Sequence, residues 1–62
     1  MDTVREVVLK LAGEEPEMLD ELLESERSRL LVEIRQTDHR SYRDELRHRL
    51  GVVEHLLEKA KA

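Results

Sequence analysis

Between Leu19 and Leu57 the apolar residues mirror one another about Asp38. Ile34 answers Tyr42, Leu30 answers Leu46, Leu23 answers Val53 and Leu19 answers Leu57, each pair of positions summing to 76. Apolar steps of three and four on both sides of one polar point are the pattern of an antiparallel helical hairpin, in which mirrored positions meet across a seam.

The first arm is expected over about 16–36. Gly13 and Pro16 punctuate the chain ahead of it, and Glu14, Glu15, Glu17, Asp20 and Glu21 crowd its amino end, where the helix dipole favours acids. Its stripe of Leu19, Leu22, Leu23, Leu30 and Ile34 keeps phase across the weak helix formers Ser25 and Ser28, so one helix is expected. Thr37 and Asp38 prefer caps and turns and place the reversal within 36–41. The second arm, about 39–60, carries Tyr42, Leu46, Leu50, Val53, Leu57 and Ala60 close to a heptad seam. With no Gly or Pro at the turn, one continuous helix through Asp38 is the rival architecture. Ahead of the arms, Thr3-Val4-Arg5-Glu6 reads as a capping box, and Val4, Val7, Val8 and Leu11 as a stripe, predicting a short helix over about 3–12 capped by Gly13. Tyr42, opposite Ile34, is expected to plug the turn end.

The fold class is therefore all-α, a short amino-terminal helix followed by a long antiparallel hairpin. Leu31, Val32, Val52 and Leu56 lie outside the narrow seam and are left uncovered by two helices alone. Two hairpins packed as a four-helix bundle would bury them, so a homodimer is expected with these four residues at its interface. Near the middle of the mirror a Glu26–Arg49 pair is expected to set register.

Composition sharpens this reading. A chain of 62 residues has a thin core, and this one lacks Cys, Phe and Trp, leaving association as the remaining source of burial. No apolar run approaches the roughly 20 residues needed to span a bilayer, and acids stand among the first residues, so no membrane is expected and a soluble cytoplasmic protein is. Charged residues make up 42 % of the chain, with no Asn and a single Gln, a balance enriched in proteins from hot environments.

Charge is unevenly laid out. Residues 1–26 hold nine acids against two bases, whereas residues 27–49 hold seven Arg against four acids. Arg40, Arg43 and Arg47 share one side of the second arm and form the candidate nucleic-acid contact. Overall negative charge and the lack of aromatic residues for base stacking weigh against that use.

One constellation has a spacing known from metal chemistry. Glu45-Leu46-Arg47-His48 is similar, over four residues, to the Glu-x-x-His ligand pattern of ferritin-like di-iron bundles, with Glu33 or Glu26 available opposite. His48, however, projects roughly 160° from Leu46, away from the seam, which makes this the remote alternative. His48, His55 and Asp44 share an outer face and His39 stands beside the turn. There is no cysteine nucleophile and no glycine-rich phosphate loop. No enzyme activity, metal or cofactor is expected. The function predicted is that of a small interaction or regulatory module whose partners are a second copy of itself and another protein.

Overall fold

The computed structural model describes residues 5–61. Two helices, α1 (Glu15–Gln36) and α2 (Arg40–Lys61), each of 22 residues, pack against each other as an antiparallel hairpin. Both run unbroken, α1 through Ser25 and Ser28, and their limits fall within one residue of those read from the pattern.

Three local devices explain where α1 begins. The Glu15 amide donates to the Ala12 carbonyl at 3.1 Å, closing a turn with Gly13 at φ 64° and Glu14 at φ −85°, ψ −5°. That is the geometry of a type II′ turn, whose first central position favours glycine. The Ala12 amide donates to Glu15 Oε1 at 3.0 Å, and Pro16 sits in the first turn, where no amide is wasted.

At the other end the Thr37 amide donates to the Glu33 carbonyl at 3.0 Å, and Thr37 itself is extended at φ −90°, ψ 138°. Arg43 reaches back across the reversal and donates from Nη2 to the Thr37 carbonyl at 2.7 Å. A long cation on α2 thus satisfies a carbonyl at the carboxyl end of α1, where the dipole is negative.

Apart from Leu50, whose mirror position is Glu26, the seam is built from the mirrored positions. Leu30 is fully buried, Leu46, Val53 and Leu57 are buried around it, and Leu23, Ile34 and Leu50 pack against them. Tyr42 departs from its expected place. It is 48 % exposed on the flank of the seam, so Ile34 closes the turn end without it.

The short helix expected over 3–12 is not found. Residues 5–12 carry no helix, and Thr3 and Val4 lie outside the described residues. A ten-residue helix is marginal in water unless a face is packed, and here Val7, Val8, Leu9 and Leu11 are all exposed. Adjacent β-branched Val7 and Val8 further lower helix propensity. Gly13 does take the left-handed conformation, but it serves the turn into α1 rather than the end of a preceding helix.

The described chain measures 41 × 33 × 13 Å, and its smallest dimension is close to the roughly 10–12 Å diameter of one helix. The hairpin is a single layer. Gly51 stands in α2 with nothing within 4 Å of where its side chain would be, so it does not serve a close helix approach. Gly51→Ala is expected to stabilise the hairpin by about 1 kcal/mol, seen as a rise in thermal midpoint by circular dichroism.

Candidate functional site

One face of the layer is a broad groove of about 930 Å³ running along the seam. From the open end toward the turn its lining changes character. Leu23, Val52, Val53 and Leu56 come first, then Glu26, Arg29, His48 and Arg49, then Glu33, Glu45 and Tyr42 over Leu30 and Leu46. At about 100° per residue, Leu22, Glu26, Arg29 and Glu33 share one flank of α1, while Tyr42, Glu45, Arg49, Val52 and Leu56 share the facing flank of α2. A smaller apolar recess of about 320 Å³ at the start of α1 is lined by Met18, Leu19 and Leu22 with the stems of Glu14 and Glu15.

The middle of the groove holds a row of alternating charges. Arg49 Nε donates to Glu26 Oε2 at 3.0 Å across the seam. Arg29 grips the same carboxylate with Nη2 to Oε2 at 2.7 Å and Nε to Oε1 at 3.1 Å, and its Nη1 donates to Glu33 Oε2 at 2.9 Å. Hydrogen bonding from Arg29 first, and from Arg49 second, holds the Glu26 carboxyl below the usual carboxylate range, and Glu26 in turn raises Arg29.

A depressed folded pKa contributes stability above the unfolded carboxylate value and loses it as pH falls through the folded one. Thermal midpoints followed from pH 7 to about pH 2 should therefore drop in the acid range, and Glu26→Gln should flatten part of that drop. An unchanged profile in Glu26→Gln would show that the carboxylate is not coupled to folding.

The opposite flank carries a second bridge between the helices, from Arg27 Nε to Glu54 Oε2 at 3.3 Å. The four apolar residues expected outside the seam are divided by the structure. Val52, 48 % exposed, and Leu56, 45 % exposed, line the groove together. Leu31 is half-buried and Val32 is exposed, and neither lines it. Leu31 falls on the Arg27 flank and Val32 points away from the seam.

The arginine stripe is also divided. Arg40 and Arg47 are exposed, whereas Arg43 is half-buried, bound to the Thr37 carbonyl and left with a buried Nε lacking a partner. An arginine that closes the turn is not free to grip a phosphate without opening it. Glu45 and His48 sit exposed on the groove's α2 side, and among the described residues no three His, Asp or Glu side chains are grouped to hold a metal. No described helix is long and apolar enough to cross a membrane.

The Arg29 bridge has a simple signature, acids three residues before and four after one Arg on a helix. The Arg43 contact has none, because it depends on how the turn directs a side chain to a residue six positions back. Compared with protein-family models, with curated proteins and with solved structures, the chain matches none.

Proposed function

We propose that the protein is a non-catalytic association module in which two hairpins stack groove to groove as a four-helix bundle, presenting their outer faces to a further protein. The observation that carries this is thickness. A domain normally packs two layers around one core, and this chain supplies one layer, 13 Å deep, with an apolar patch of Val52 and Leu56 open on its groove face. A second copy is the occupant favoured by charge. The groove holds acids and bases in one row, Arg49, Glu26, Arg29 and Glu33, so a two-fold mate can set each sign against its opposite.

The bridges on the two flanks suit a register role more than a stabilising one, since exposed pairs contribute little. A slide of α2 by one turn would set Glu45 where Arg49 now meets Glu26, placing like charges together. Molar mass by light scattering over a wide concentration range tests the proposal. A dimer that dissociates on dilution is the expected result, and a folded monomer at every concentration would overturn it.

A further inference from the structure

We infer that the segment Arg5–Ala12 pairs with the same segment of a second copy as a two-stranded antiparallel ribbon centred on Val8. The inference rests on the self-association proposed above but concerns a separate surface. No part of residues 5–12 is helical, their apolar side chains are exposed, Val8 to 88 %, and among the described residues the backbone of 5–11 makes no hydrogen bond within the chain. Exposed apolar side chains on an unpaired backbone are what an added strand satisfies.

The alternation along the segment selects the mate. In an extended chain Arg5, Val7, Leu9 and Leu11 share one face, and Glu6, Val8, Lys10 and Ala12 the other. With a two-fold axis at Val8, Glu6 of each copy lies opposite Lys10 of the other, Val8 meets Val8, and Val7 meets Leu9. The Glu6–Lys10 pair is then of opposite sign and made twice by symmetry, Val8 with Val8 and Val7 with Leu9 are apolar, and Arg5 faces Leu11 at each end of the ribbon. The turn at Ala12–Glu15 tethers the segment to the open end of the hairpin. There the ribbon face that carries Val7, Leu9 and Leu11 can lie over Met18 and Leu22, which one chain leaves exposed and which lie outside the groove.

Cysteine cross-linking of the full chain tests this register. Cα atoms directly opposite in an antiparallel pair are about 4.5–5.5 Å apart, within disulfide reach, so Val8→Cys should oxidise readily to a covalent dimer. In the same register two cysteines at position 11 are about 20 Å apart, and Leu11→Cys should cross-link at least about tenfold more slowly. Glu6→Lys and Lys10→Glu should each weaken dimerisation about tenfold, and the double swap should restore it. Equal cross-linking at positions 8 and 11, or no rescue by the swap, would overturn the ribbon. If the wild type is nevertheless dimeric by mass, the groove-to-groove bundle stands without it. Selective cross-linking at position 8 in a chain whose dimer survives Leu56→Glu would uphold the ribbon and reject the bundle. A Val8→Cys, Met18→Cys variant that closes within one chain would mean that the segment straps its own hairpin, again overturning the ribbon.

Discussion

Leu30→Ala is expected to unfold a large fraction of the isolated hairpin at room temperature. Among the described residues Leu30 is the one side chain with no exposure at all, and Leu46, Val53 and Leu57 are buried around it. Removing a buried leucine costs about 2.7–5 kcal/mol, because the cavity term adds to the lost transfer free energy. A chain of this length has a total stability of only about 3–9 kcal/mol at typical per-residue values. The cost is therefore comparable to everything the fold has. Val32→Ala is the matching control. Its side chain lies on the outer surface of the same helix, and a change within about 0.5 kcal/mol is expected. Urea titrations of the two variants followed by circular dichroism would separate them, and equal midpoints would show that the seam is not where the stability resides.

The double substitution Val52→Glu, Leu56→Glu is expected to abolish association while leaving helicity intact. Both residues are about half exposed within one chain, so the hairpin loses little when they change. In a stacked pair of hairpins each would be repeated by symmetry, and four carboxylates would be desolvated in the apolar part of the groove toward its open end. Uncompensated buried charge costs several kcal/mol per group, so a weakening of at least about a hundredfold follows. The readout is a helical monomer by light scattering and circular dichroism. A variant that remains a dimer would place the interface elsewhere than the groove.

How far the sequence could be read varied with the physics involved. Leu30 with Leu46, and Leu23 with Val53, were legible because a seam between two long helices imposes one period over many turns. The reversal at 37–39 was legible from Thr37 and Asp38, whose side chains favour turns. Residues 5–12 depart from the predicted helix because Val7, Val8, Leu9 and Leu11 fit a helical stripe and a strand alternation almost equally, and the capping box that favours a helix acts through local chemistry alone. Packing, which arbitrates between the periods, is absent there within one chain. Tyr42 was misplaced for a related reason. Mirror symmetry assigns a residue to the seam, but a ring at the margin of the stripe can rotate to the flank when Ile34 already fills the end. In the candidate site, the pairing of Val52 with Leu56 could be read from their spacing of four. The separation of Val32 from them could not be inferred from exposure alone, because a two-helix layer has two faces and an outer edge on each helix.

The turn at Thr37–His39 also decides how the protein can be joined to others. Because the chain reverses once, α1 begins and α2 ends at the same side of the molecule. A linker of modest length can therefore connect Lys61 of one copy to Arg5 of the next without crossing the groove. Such a tandem would turn a concentration-dependent encounter into an intramolecular one, with an effective concentration in the millimolar range for a short flexible linker. The turn is correspondingly the site for an immobilisation tag, since it is the end from which nothing else departs.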